Sequence, residues 1–199
     1  MIVLLLSSTF TWCKETPPIP SLTSKYPVVL METSLGNIFL KLYPNKAPKT
    51  CANFLLYVHD KYYDNTLFHR VIDGFLIQGG GFKRGFIQTH TYKPIINESK
   101  DGLPNLRGWV GMSLTTNENS AASQFYINVV NNPDLDYNRR RGHGFTVFAK
   151  VIDGMDIVDR IKKLKTRRIT VYSTLYKREI PLYNVPSKEV VIYNARQIR

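Results

Sequence analysis

The sequence predicts a mainly-β domain, either a closed antiparallel barrel or a sandwich, with two helices packed on it. Three observations predict this. Short β-rich runs follow one another from residue 28 to residue 193 with turn signals between them. Only two segments show helical spacing of apolar residues, and nowhere do strand and helix alternate as a βαβ unit requires.

Taken in order, 28–32 and 36–42 are β-rich runs separated by Thr33-Ser34-Leu35, a hairpin reading. Pro44 and Pro48 stop the second run. Over 49–62, Cys51, Phe54, Leu55 and Val58 recur at helical spacing, so an amphipathic helix is expected, with Pro48 suiting its first turn. Residues 67–72, Asp73-Gly74 and 75–78 read as a second hairpin. Further strands are expected at 110–114, 124–130 and 146–152, a second helix at 156–164, and a closing strand at 190–193. Gly79-Gly80-Gly81 reads as a sharp turn or bulge, since no Lys-Ser/Thr and helix follow to make a phosphate cradle.

The 199 residues suit one domain plus a tail, and 43% apolar with 21% charged residues is ordinary for a soluble globular chain. The charge is less ordinary. Twenty-seven Lys and Arg against 15 Asp and Glu give +12, concentrated at Arg139-Arg140-Arg141 and over 160–168. Such a balance permits an anionic partner but says nothing of fold. The basic run lacks interleaved stacking aromatics, so nucleic acid is not the expected partner. Cys13 and Cys51 lie in no CxxC pair and near no metal-type histidine spacing, so neither a disulfide framework nor a metal site is expected.

The first 26 residues differ in kind. An apolar run from Ile2 to Leu6, continued weakly to Trp12, makes about a dozen residues of helix, roughly 18 Å against a membrane of about 30 Å. A secretory signal peptide fits better than a span, although no basic segment precedes the run and no A-x-A site follows it. Lipid attachment at Cys13 and an uncleaved apolar tail, which would leave the protein cytoplasmic, are the alternatives. Pro17, Pro18 and Pro20 with Ser21, Thr23 and Ser24 form a linker, so the folded domain is expected over 27–199.

Most catalytic templates are missing: no GxSxG, no HExxH and no Walker phosphate loop. His59, His69, His90 and His143 are scattered. One segment stands apart, FHRVIDGFLIQGG over 68–80, where Arg70 sits in an apolar hairpin closed by Gln78. Alone, it reads equally as an edge arginine snorkelling to water. Two more segments change that reading: GWVGMS (108–113) followed by SQFYI (123–127), and GFTVFAKV (144–151) running into Gly154-Met155-Asp156.

Together these segments resemble the signatures of the cyclophilin family. ETSLGNI (32–38), APKT (47–50) and Asn53-Phe54 resemble the same family, and NVPSK (184–188) is similar to exported, periplasmic bacterial members. The resemblance covers residues 28–198. It implies a closed eight-stranded antiparallel β-barrel capped by two α-helices, a peptidyl-prolyl cis-trans isomerase that assists folding, no cofactor, and proline-containing polypeptides as partners of a monomeric enzyme. It also implies that Arg70, Gln78 and Phe75 are the catalytic group. His69, Leu76, Ser113, Leu114, Thr115, Gln124, Phe125, Tyr126, Leu135 and Phe145 would then hold the substrate, although Phe125 and Leu76 read equally well as barrel core.

Three positions depart from the family pattern. Tyr126 stands where most members have Phe and brings a hydroxyl that needs a partner. Ser113 replaces a usual alanine. Asp134 stands where some members carry a tryptophan that contacts cyclosporin, so such an inhibitor is expected to bind weakly. A non-catalytic proline-segment binder or chaperone with a basic polyanion-binding face is the competing reading.

Overall fold

The computed structural model describes residues 25–173 and 177–199. The apolar segment, Cys13 and the proline linker lie outside the described residues. Among the described residues no helix is long and apolar enough to cross a membrane.

Strands β1 (Val28–Thr33) and β2 (Gly36–Leu42) form the first hairpin, and β3 (Thr66–Ile72) and β4 (Leu76–Lys83) the second. A two-residue β5 (Ile87–Gln88) edges β4, and β6 (Trp109–Met112), β7 (Phe125–Asn128) and β8 (Val147–Asp153) complete the middle of the chain. After them come β9 (Thr166–Ser173), β10 (Arg178–Pro186) and β11 (Val191–Gln197). The strand order β3-β11-β1-β2-β8-β6-β7-β4 is closed by the β3–β4 pairing into the expected eight-stranded antiparallel barrel. Closure removes the unpaired edges that an open sheet would leave.

The core lies inside the barrel and under its helices. Phe54 from α1 (Pro48–His59) meets the rings of Tyr63, Phe125 and Phe148 at 5.2, 5.8 and 4.9 Å between centroids. Burying each such ring contributes about 1.5–3 kcal/mol. Cys51 is free in this core, and burial pushes its thiol up to about 12, so it is inert at neutral pH.

The helix at 49–62 is shorter than expected and is not amphipathic. Residues 50 to 58 are all buried, because the loop after β5 wraps its outer side: the Glu98 carboxylate accepts the N–H groups of Lys49 and Thr50, at 3.1 and 2.8 Å. A carboxylate at the helix N-terminus is also favoured by the helix dipole. The helix stops at His59 because Lys61 turns left-handed (φ 54°), with Lys61 N–H donating to the Val58 carbonyl and Tyr62 N–H to that of Tyr57. The second helix, α2 (Met155–Lys162), also ends earlier than expected.

The largest departure is β9–β10, an antiparallel ribbon outside the barrel sheet. Residues 160–168 read as a basic run, yet Ile169, Val171, Ile180 and Leu182 alternate as strand residues do and pair across the ribbon. The arginines and the mid-strand Pro181 hid that period.

Candidate active site

Side-chain alternation decides which residues face the groove. Ile77, Phe125, Ile127, Val110 and Met112 point into the barrel core, so Gln78, Tyr126 and Gly111 lie on the outer face. The register sets them in one cross-strand row: Arg70 opposite Gln78, Gln78 opposite Tyr126, Tyr126 opposite Gly111. Arg70 joins this row only because of a bulge. Phe68 and Val71, three residues apart, both enter the core, and the β3–β4 register slips between Phe68 and Arg70. Strict alternation would have sent Arg70 inward with Phe68; the extra residue turns it out. A second irregularity between Thr66 and Phe68 sets Gly80 (φ 78°) at the bulge that the glycine run suggested.

Arg70 is half-buried, and its Nη1 donates to Gln78 Oε1 at 3.1 Å. Gln78 Nε2 in turn donates to Gln124 Oε1 at 2.8 Å. Among the described residues no carboxylate forms an ion pair with Arg70. The result is a cation aimed by a glutamine relay, with donors left over for an acceptor entering the groove.

Tyr126 follows Gln78 in the same row, 2% exposed, with Phe145 edge-on at 6.0 Å. Its hydroxyl donates to Asn105 Oδ1 at 2.6 Å, the partner that the sequence required. Asn128 donates to the same oxygen, and Asn105 donates its N–H and amide to Asp136 Oδ1 at 2.7 and 2.9 Å. Asn132 donates to Asn128 Oδ1 and to the Phe75 carbonyl, and Phe145 N–H donates to the Leu135 carbonyl. One buried polar network thus ties together Tyr126, the Phe75 turn and the loop that holds Leu135 and Phe145. Asn105, Asn128, Asn132 and Asp136 were not among the candidates from sequence. Their partners lie tens of residues away, so no local pattern marks them.

The structure brings together Arg70, Gln78, Gln124 and Tyr126, with Phe75, Leu135 and Phe145 half-exposed around them. Ser113 and Leu114 are half-buried beyond β6, Ser113 N–H bonding the Gln124 carbonyl, while Thr115 is exposed in the next turn. One candidate belongs elsewhere. Phe125 is barrel core, because alternation points it inward to Phe54, Tyr63 and Phe68. Leu76, although 4% exposed, alternates with core Ile77 and so lies on the same outer face as Gln78.

His69 is a buried floor residue rather than an exposed wall, stacked edge-on against Phe82 at 4.9 Å. Burial lowers its pKa to about 4 from an ordinary 6.5, outweighing the opposing pull of the Leu67 carbonyl and the Gln124 side chain. Because the folded value is depressed, stability is complete above pH 6.5 and is lost as pH falls toward 4. Over that window the loss is about 3 kcal/mol at about 1.4 kcal/mol per pH unit. Urea titrations at pH 7 and pH 4.5 should show it, and His69→Gln should flatten the difference; an unchanged difference would assign it to other groups.

Comparison with known proteins agrees with this geometry. The profile of the "Cyclophilin type peptidyl-prolyl cis-trans isomerase/CLD" family matches residues 28–196, and the chain belongs to that family. It is 44% identical over 164 residues to peptidyl-prolyl cis-trans isomerase B of Escherichia coli (strain K12), covering 81% of this chain and all of that one. It is 43% identical over 183 residues to peptidyl-prolyl cis-trans isomerase A of Dickeya dadantii (strain 3937), covering 92% and 90%. A cyclophilin type peptidyl-prolyl cis-trans isomerase of Cryptosporidium parvum superposes with a TM-score of 0.69 at 24% identity, covering 87% of this chain and 98% of that one. The same protein has been solved in the presence of the dipeptide Ala-Pro. The activity of the chain is peptidyl-prolyl cis-trans isomerisation.

Proposed function

We propose that Arg70 drives isomerisation of X-Pro bonds in unfolded or folding polypeptides by donating to the prolyl nitrogen as the bond twists. Amide resonance holds that bond behind a barrier of about 18–20 kcal/mol. Resonance is lost at the twisted transition state, where the nitrogen becomes pyramidal and gains a lone pair. A donor aimed there binds the transition state better than either ground state. The supporting observation is the half-buried guanidinium, oriented by Gln78 and paired with no carboxylate among the described residues. No nucleophile and no proton transfer are required.

A rate gain of about 10⁵ needs roughly 7 kcal/mol, more than one charge-assisted hydrogen bond supplies. The remainder falls to holding the proline ring still between Tyr126, Phe145, Leu135 and Phe75 while the other side of the bond rotates. The test is exchange spectroscopy on an Ala-Ala-Pro-Phe peptide with the full chain: cis–trans exchange should quicken in proportion to protein, and saturation by a proline-free analogue would show that the groove does not read the ring.

Asp134 is exposed on the rim, its carbonyl accepting from Arg141 at 2.8 Å. It offers neither an indole face nor an N–H to a cyclosporin-type inhibitor, and its carboxylate loses water beside an apolar ligand. Asp134→Trp should tighten inhibitor binding about tenfold, or roughly 1.4 kcal/mol; an unchanged titration would remove this position from the explanation.

Every groove residue named above comes from one chain, which supports the reading of a monomeric enzyme. The apolar run of residues 2–6 with its proline linker supports export to a compartment such as the periplasm. N-terminal sequencing of the mature protein tests this, and an intact Met1 would place the enzyme in the cytoplasm.

A further inference from the structure

We propose that the outer face of β1, β2, β8 and β6 docks on an anionic lipid membrane, with Lys41 and Lys150 at its centre and Tyr26, Tyr43 and Trp109 as its interfacial rings. The register defines the face. Leu40, Leu42, Ala149 and Val151 fill the core, so Lys41 and Lys150 point outward, directly opposite each other, and Lys150 also lies opposite Trp109. Three rings run alongside them. Tyr26 meets Tyr43 edge-on at 5.7 Å between centroids, and Tyr43 meets Trp109 at 5.3 Å. Lys41 Nζ lies 4.7 Å from the Tyr26 centroid and 5.5 Å from that of Tyr43, and Lys150 Nζ lies 5.4 Å from that of Trp109.

The charge on this face is unbalanced. Like charges directly opposite each other weaken a strand pair, and the ring faces offset only part of that cost. Lys25, Lys41 and Lys150 form no ion pair among the described residues. Two carboxylates share the outer side of these strands. Glu32 is bonded to Arg196 at 2.6 Å, and Asp153, opposite Phe39, accepts the Gly154 N–H at 2.8 Å. Three lysines and Arg196 against Glu32 and Asp153 leave an excess of two positive charges. An anionic layer lying over the lysine pair supplies the missing counter-charge.

Composition favours a lipid surface over an acidic polypeptide. Tyrosine and tryptophan set an apolar ring and a polar edge at the boundary between hydrocarbon and headgroups, and lysine stems lie along apolar surface while the ammonium stays among the headgroups. All three rings are half-buried, and Ile152, 52% exposed, extends the face beyond Lys150 on the same strand. The rings also begin where the N-terminal segment joins the barrel. Residues 1–24, with the apolar run at 2–6, are attached at Lys25, whose Nζ lies 5.7 Å from the Tyr26 centroid. The net charge of +12 adds long-range attraction to an anionic membrane. Orientation suits the activity as well. In the closed strand order the β2–β8 pair lies three of eight steps from the β7–β4 pair at the middle of the groove row, so a protein resting on this face turns Arg70 away from the membrane.

The test uses the full chain carrying Trp12→Phe, which leaves Trp109 as its one tryptophan and so as a reporter within the face. Vesicles are equal parts phosphatidylglycerol and phosphatidylcholine, or phosphatidylcholine alone, with brominated acyl chains as the quencher. Anionic vesicles should shift Trp109 emission to the blue and quench it, neutral ones should not, and the effect should fade as added salt screens the charges. Lys41→Gln with Lys150→Gln should weaken sedimentation with anionic vesicles about tenfold, the size expected of two lysines at such a surface. The same variant should keep kcat/KM for Ala-Ala-Pro-Phe within about twofold. Arg139→Gln with Arg140→Gln removes the same charge from another face and should weaken sedimentation less than about threefold. Protein that sediments with anionic vesicles while Trp109 stays unquenched is bound by another surface, and that result overturns the inference. Equal losses in the two charge variants overturn it too, because net charge alone then explains the binding. So does a blue shift produced by polyglutamate and not by vesicles, which would make the face a site for acidic polypeptides.

Discussion

Replacing Arg70 with alanine should lower kcat/KM for an Ala-Pro tetrapeptide about 10- to 100-fold while the thermal transition stays in place. A hydrogen bond to a charged group is worth about 1.5–3 kcal/mol, and each tenfold in rate is about 1.4 kcal/mol. The fold should survive for a specific reason. Removing one member of a buried ion pair strands the other charge, but among the described residues Arg70 pairs with no carboxylate, and Gln78, which it leaves behind, is half-buried and still donates to Gln124. Arg70→Lys keeps the charge but loses the planar fork, so it should recover only part of the activity. The loss should appear in kcat more than in KM, because the donated bond strengthens as the nitrogen becomes pyramidal. Near-normal turnover by Arg70→Ala, with circular dichroism unchanged, would rule out this residue as the donor.

The parts of this site that were readable from the sequence are those held within a few residues. The hairpin 68–78 carries Arg70, Phe75 and Gln78 close together in the chain, and its Asp73-Gly74 turn marks the reversal. The barrel was readable for a similar reason, since each strand announces itself by composition and turn chemistry. What could not be read depends on register and on distant partners. Phe125 and Tyr126 are neighbours in sequence, and only the direction of the pleat decides that the first fills the core and the second the groove. The His69 bulge that turns Arg70 outward leaves no local mark, and neither does a helix N-terminus capped by Glu98 from 48 residues away. The ribbon was hidden differently: its period of two is present in Ile169, Val171, Ile180 and Leu182, but the arginines beside it suggested only a solvated charge run.

The unusual hydroxyl of Tyr126 leads to the second large effect. A Cβ placed at Gly111 would lie 2.2 Å from that hydroxyl oxygen and 2.3 Å from the ring carbon bearing it, contacts that no packed structure tolerates. Glycine at 111 therefore makes room for tyrosine at 126, directly opposite in the register. The ring cannot step aside at little cost, because its hydroxyl is bound to Asn105 and its edge is packed against Phe145. Gly111→Ala should cost about 1–3 kcal/mol of overpacking, lowering Tm by roughly 3–10 °C in a chain of this size. KM for the tetrapeptide should rise with it, since the displaced ring forms one side of the proline pocket. Tyr126→Phe removes the oxygen and leaves Asn105 Oδ1 still bonded to Asn128, so it should cost only about 1 kcal/mol. Tyr126→Phe does not relieve the clash, because the ring carbons at 2.3 and 2.8 Å remain. Tyr126→Ala removes the whole ring, so a double variant with Gly111→Ala separates a steric account from a general weakness of β6: the alanine methyl at 111 then gains space, and Tm should lie within about 2 °C of Tyr126→Ala alone. The coupling between the two sites should then reach about 1–2 kcal/mol, as expected of residues in contact. Additive losses in the double variant would show that the glycine answers to something other than the tyrosine ring.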